Sequence, residues 1–185
     1  MLKIRYPKQL FILILLLSIF YTSNGISQNK TIKTTGDVIL FVLPAATLAT
    51  TFIIKDKKGS WQFTKAFLVN EAITHGLKYT IKKERPDGSN YNSFPSGHTS
   101  TTFQSASFIH LRYGFKYSIP AYVLAGFTAY SRIDANRHDG WDILGGAIIG
   151  VGSTLLFTTP YQEEHMELTY NSYDGNYLLG FNFKF

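Results

Sequence analysis

The sequence predicts an all-α fold: a compact bundle of about five core helices, preceded by an N-terminal signal or anchor segment and followed by a C-terminal β-hairpin tail. Three observations lead there. Apolar residues fill 45% of the 185 positions and charged residues only 16%, against about a quarter charged in an average soluble protein. Apolar residues recur at helical spacing from residue 38 to residue 159 and change to strict alternation only near the C-terminus. The chain has no cysteine, which excludes a disulfide scaffold, a thiol nucleophile and a thiolate metal centre.

The elements follow in order. Residues 1–25 carry Lys3, Arg5 and Lys8, then the apolar run Leu10 to Tyr21, then Thr22-Ser23-Asn24-Gly25. This is the pattern of a secretory signal peptide, or of an uncleaved anchor if the run stays in the bilayer. Either reading places the rest of the chain outside the cytoplasm, on the periplasmic side of a cell envelope. Residues 36–160 form the helical domain. Val38 to Ile54 is uncharged between Asp37 and Lys55, with Pro44 as an expected kink. Trp61 to Lys83 is amphipathic, and the turn-rich run Pro86 to Ser93 stops it. Helices are expected from His98 to Arg112, from Tyr117 to Ser131, and from His138 to Thr159, the last with Gly146 and Gly150 spaced for close packing. In the tail, residues 161–185, Tyr177, Leu179, Phe181, Phe183 and Phe185 alternate after Asp174-Gly175. That predicts a hairpin on a type I′ turn, covering one side of the bundle.

The net charge of +6 does not indicate a nucleic-acid partner. Three of the 18 basic residues precede the first apolar run, which leaves 15 against 12 acidic ones, with no basic stripe interleaved with aromatics. Membrane association is the better expectation: Lys55, Lys57, Lys58, Arg112 and Lys116 would gather at one end of the bundle, as the positive-inside rule requires.

Three segments carry chemistry. Lys78 and Arg85 are seven residues apart, two helical turns, so both would project from one face of a helix end and suit a phosphate. Basic residues there also simply complement the helix dipole. Pro95-Ser96-Gly97-His98 opens a helix. Ser96 can act as an N-cap, or with Gly97 and the free backbone N–H groups as an anion site, with His98 beside it to exchange a proton. Ser131-Arg132 is followed by His138 and Asp142. At i and i+4 on one helix face, Asp142 can accept the Nδ1–H of His138 and leave Nε2 free to attack. Such a pair is equally a structural hydrogen bond.

Taken together and in this order, Lys78-x6-Arg85-Pro86, Pro95-Ser96-Gly97-His98 and Ser131-Arg132-x5-His138-x3-Asp142 resemble the signature of the type 2 phosphatidic acid phosphatase (PAP2) and vanadium haloperoxidase superfamily. The resemblance covers residues 78–142 and matches every motif position. The eight residues from Asp87 to Phe94 leave no room for a cap domain. The resemblance implies a phosphatase that acts without metal or other cofactor on a phosphate monoester or pyrophosphate, of a lipid or of a small ester. It implies His138 as nucleophile oriented by Asp142, His98 as proton donor and then base, and Lys78, Arg85, Ser96, Gly97 and Arg132 as the phosphate-binding set. A soluble periplasmic acid phosphatase, a vanadium-dependent haloperoxidase and a silent phospholipid-binding module are the competing readings.

Overall fold

The computed structural model describes residues 29–161, 166–173 and 176–183. The expected signal or anchor, residues 1–25, lies outside the described residues, as do His165 and the Asp174-Gly175 turn. Five helices form the bundle: α1 (Lys30–Ile53), α2 (Lys57–Ile81), α3 (Gly97–Tyr113), α4 (Phe115–Asp134) and α5 (Gly140–Leu155). They run up and down, and α3 packs against all four of the others.

The centre of the bundle is small and polar. Thr99, Ser100, Thr101, Thr102, Gln104, Ser105 and Ser107 of α3 are all buried. Helix α3 tolerates them because their hydroxyls bond back along the helix: Thr102 to the His98 carbonyl at 2.9 Å and Ser105 to the Thr101 carbonyl at 3.0 Å. Helix α5 then lies directly on the α3 backbone. A Cβ on Gly146 would sit 2.5 Å from the Ser96 carbonyl oxygen, and one on Gly150 would sit 2.3 Å from that of Ser100. Glycine is therefore required at both by packing. The apolar core lies between α1, α3 and α4, around Ile39, Leu43, Ala106, Ala121 and Ala125.

Helix α1 is long and apolar enough to cross a membrane, and only 28% of its apolar window is buried. Pro44 lies inside the unbroken helix. The helix begins at Lys30, capped by the Asn29 side chain, which accepts the N–H of Thr31 at 3.0 Å. It is therefore two turns longer than the uncharged run from Val38, and Lys33 and Asp37 belong to it.

The far end of the bundle refines one expectation. Arg112 lies at that end with the exposed lysines 55, 57, 58 and 116, but it is turned inward. It is buried against Asp56, with Nε and Nη2 donating to the carboxylate at 2.8 and 2.7 Å, while the Tyr113 hydroxyl donates to Asp56 at 2.8 Å. Asp56 is also the N-cap of α2, so one carboxylate ties α2 to α3.

The tail corrects another. Strands β1 (Met166–Tyr173) and β2 (Asn176–Phe183) pair antiparallel, from Met166 opposite Phe183 to Tyr173 opposite Asn176. The fold expectation had this tail as a layer over one side of an all-α bundle. Among the described residues the bundle is built by helix–helix packing alone, and the substantial neighbour of each strand is the other strand. Alternation gives a strand two faces but does not say what lies against them. Here the diagonal pair Tyr170 and Tyr177 stack on each other, 5.8 Å apart and exposed.

Candidate active site

Alternating helix directions bring the N-termini of α1, α3 and α5 and the C-termini of α2 and α4 to one end. Helix N-termini carry positive dipole ends and free N–H groups, so this end favours an anion. A pocket of about 240 Å³ opens there, lined by Lys33, Asp37, Arg85, His98, Arg132, Arg137 and His138.

His138 is 4% exposed and stands in the loop before α5. The expected i, i+4 stacking on one helix is not how it meets Asp142. Asp139 is the N-cap of α5, and a reciprocal capping box joins it to Asp142: each side chain accepts the backbone N–H of the other. Helix geometry thus begins one residue after the cap, and His138 folds back so that its Nδ1 lies 3.5 Å from Asp142 Oδ2. That separation is longer than a hydrogen bond, and Nδ1 has no other partner. Asp142 itself is fully buried and held by Lys83 Nζ at 2.9 Å, by the Ser93 hydroxyl and by the Asp139 N–H at 3.1 Å. Burial alone would raise its pKa; His138, Ser93 and Lys83 overcome that and hold it well below the usual carboxylate range. Burial pushes the His138 imidazole below its ordinary value, with Asp142 opposing and Lys78 adding to the fall.

His98, on the first turn of α3, meets Asp37 of α1: Nε2 is 2.9 Å from Oδ1. Arg132, 3% exposed on the last turn of α4, donates from Nη1 to the same oxygen at 2.7 Å and from Nη2 to the Lys33 carbonyl at 2.8 Å. Burial and the Arg132 charge lower His98 to about 4, against the pull of Asp37.

The remaining motif residues are placed differently from expectation. Helix α2 ends at Ile81, and Lys82 caps it in the left-handed conformation at φ 46°, so Lys78 and Arg85 do not share a helix face. Lys78 Nζ donates to the carbonyls of Asn92 and Pro95 at 2.8 and 2.6 Å. It pins the loop between the first two motifs, and burial lowers it to about 8. Arg85 reaches the pocket from that loop with its Nε unpartnered. Ser96 is buried as the N-cap of α3, accepting the Thr99 hydroxyl at 3.0 Å, so the capping reading describes its side chain. A Cβ on Gly97 would meet Thr74 and Lys78 only at 3.8 and 3.9 Å. Packing does not demand glycine there.

The structure therefore gathers Arg85, His98, Arg132 and His138 around one pocket, with Asp142 behind His138. Lys78, Ser96 and Gly97 do not line it: Ser96 and Gly97 precede His98 at the start of α3, and Lys78 holds the Asn92 and Pro95 carbonyls. Sequence reasoning missed Asp37, Lys33, Lys83, Ser93 and Arg137. Arg137 is held at the rim by Asp87 at 3.2 Å and Ser89 at 3.0 Å. Of the remaining histidines, His75 pairs with Glu71 and His110 with Tyr122, both away from the pocket. Among the described residues no three His, Asp or Glu side chains converge as a metal site would need. The positive charge facing the pocket comes from side chains and helix ends.

Comparison with known proteins bears on the family and the fold. Residues 38–165 match the family described as the PAP2 superfamily. A lipid A 1-phosphatase of Porphyromonas gingivalis is 40% identical over 111 residues, which cover 54% of this chain and 24% of that protein. This chain thus spans about a quarter of the length of that relative. A lipid A 4'-phosphatase of Helicobacter pylori is 29% identical over 173 residues, 87% of each chain. The crystal structure of Aquifex aeolicus LpxE superposes with a TM-score of 0.60 at 20% identity, covering 78% of this chain and 92% of that one, a likeness of fold.

Proposed function

This chain belongs to the PAP2 superfamily, and on that premise we propose that it is a cell-envelope lipid phosphatase, with the phosphate of a lipid A-type lipid as its first candidate substrate. The observation that carries the reading is the pocket itself. Two imidazoles and the guanidinium groups of Arg85 and Arg132 face one 240 Å³ space, enough for a phosphoryl group and the start of its ester. Membrane association is supported by α1 and by exposed aromatic residues at both ends of the bundle. Tyr79 and Trp141 stand at the pocket end, Trp61 and Tyr117 at the other.

The proposed chemistry uses these groups in two steps. With Nδ1 of His138 turned to Asp142, Nε2 attacks phosphorus, and a P–N bond forms as the P–O ester bond breaks. The bonding pair leaves with the ester oxygen, which takes its proton from His98. Arg85 and Arg132 hold the equatorial oxygens while charge shifts across them. In the second half, His98 accepts a proton from water as the water oxygen attacks the phosphohistidine. The P–N bond breaks, phosphate leaves and His138 is restored.

The test is phosphate release by detergent-purified protein, with EDTA present, from lipid A, phosphatidate, a polyprenyl pyrophosphate and p-nitrophenyl phosphate in parallel. Release from a lipid, abolished by His138→Ala, supports the reading. Turnover of the small ester alone moves it to a general periplasmic phosphatase, and activity that survives His138→Ala removes the nucleophile.

A further inference from the structure

Asp37 belongs to none of the three motifs, yet it is the carboxylate that lines the pocket. Its approach is built into the fold. Gly36 beside it is buried, and a Cβ there would lie 2.0 Å from Ser131 Oγ and 2.7 Å from Arg132 Nη2. Only glycine lets α1 come this close to α4 and set Asp37 against Arg132.

The geometry at Asp37 mirrors that at Asp142. Asp142 faces Nδ1 of His138 and leaves Nε2 for the pocket; Asp37 faces Nε2 of His98 and leaves Nδ1. A carboxylate only accepts, so Nε2 of His98 carries the hydrogen of that bond. Two carboxylate–imidazole pairs of opposite ring orientation thus border one small pocket. We propose that Asp37 is a positioning residue for proton transfer, presenting Nδ1 of His98 to the leaving-group oxygen and stabilising the imidazolium that donates to it. The inference rests on the phosphatase reading above.

The charges around His98 show why such a group is needed. Lys33 and Asp37 face the pocket from α1, Arg85 from the loop after α2, Arg132 from α4, and Arg137 and His138 from the loop before α5. Among these cations an unaided imidazole holds a proton poorly, and burial weakens it further. Among the described residues, Asp37 is the one carboxylate in contact with the ring.

The experiment separates this role from a merely structural clamp on Arg132. Full-length protein in detergent, unsubstituted and as Asp37→Asn and Asp37→Glu, is assayed on phosphatidate and on p-nitrophenyl phosphate. The first leaving group is an alkoxide that needs a proton; the second leaves as a stable phenolate. Competition by vanadate reports whether each variant keeps a formed anion site. Asp37→Asn is expected to lower kcat on both substrates through Arg132, but to lower the phosphatidate-to-nitrophenyl ratio by about tenfold or more. The alkaline limb of the phosphatidate profile should move to lower pH, because the imidazolium has lost its counter-charge, and Asp37→Glu should restore part of the ratio. An equal loss on both substrates, or an unmoved alkaline limb, overturns the inference. Where lipid A rather than phosphatidate is turned over, it takes the place of phosphatidate in the ratio; an unsubstituted enzyme inactive on lipid A, phosphatidate, a polyprenyl pyrophosphate and p-nitrophenyl phosphate alike overturns the phosphatase reading, and this inference with it.

Discussion

Replacing Asp142 with asparagine removes one charge and exchanges one acceptor oxygen for a donor, in a place where every neighbour donates. Lys83 Nζ meets Oδ1 at 2.9 Å, while the Ser93 hydroxyl, the Asp139 N–H and His138 Nδ1 all address Oδ2. The asparagine oxygen is best placed at the Oδ2 position, where it keeps three of these approaches. Its NH₂ group then faces the Lys83 ammonium, which retains only Asp139. Breaking a buried ion pair on one side typically costs about 3–5 kcal/mol. Because Lys83 is one-third exposed and keeps a second carboxylate, the expected loss is about 3 kcal/mol or less. The catalytic effect has a different origin. The amide oxygen still faces Nδ1 of His138, but the positive charge that develops on the ring has lost its counterion. A fall in kcat of about a hundredfold, or ~2.7 kcal/mol of barrier, is expected with KM little changed, together with a lowered thermal midpoint. An Asp142→Asn enzyme within threefold of the parent kcat would refute the reasoning, as would one as inactive as His138→Ala while still folded.

Two further outcomes follow from the same structure. Gly150→Ala puts a methyl group 2.3 Å from the Ser100 carbonyl and 2.8 Å from the Gln104 nitrogen, both backbone atoms, whereas a Cβ at Gly152 meets nothing within 4 Å. The first should destabilise by about 1–3 kcal/mol and the second should be neutral or mildly stabilising; melting temperatures ranked the other way would contradict the α3–α5 packing. The pH profile of kcat/KM should be acid-shifted. His138 must be neutral to attack, so rate is lost as pH falls through its lowered pKa. His98 must be protonated to donate, so rate is lost as pH rises through a value of about 4. Both limbs therefore lie below the ordinary imidazole value of 6.5, and an optimum above about pH 8 on a lipid phosphate would show that these are not the titrating groups.

What the sequence disclosed and what it withheld divide along a physical line. Helix number was legible because apolar spacing is a local property, and the motifs were legible because each is a short run. Contacts made by tertiary approach were not. Lys83 and Ser93 serve Asp142 from positions 59 and 49 residues away, and nothing in their own neighbourhoods marks them. The spacing of His138 and Asp142 permits an approach, but the capping box at Asp139 and Asp142, not a shared helix face, brings the two side chains to 3.5 Å. The tail shows the same limit, since alternation identifies a strand without identifying its neighbour.

Asp37 is the instructive case, because a signal for it did exist. Taken as the residue that precedes an apolar helix, it reads as a boundary. Yet the motifs already committed Arg85, Arg132 and two histidines to one anion site, and such a concentration of positive charge disfavours every protonated imidazole within it. A proton donor can work there only if some carboxylate other than Asp142 stands close to it. Asp37 is the first acidic residue of the chain and the last before a long uncharged stretch, on the element whose N-terminus an up-and-down bundle brings to the motif end. Charge balance within the site, rather than local pattern, is the argument that singles it out.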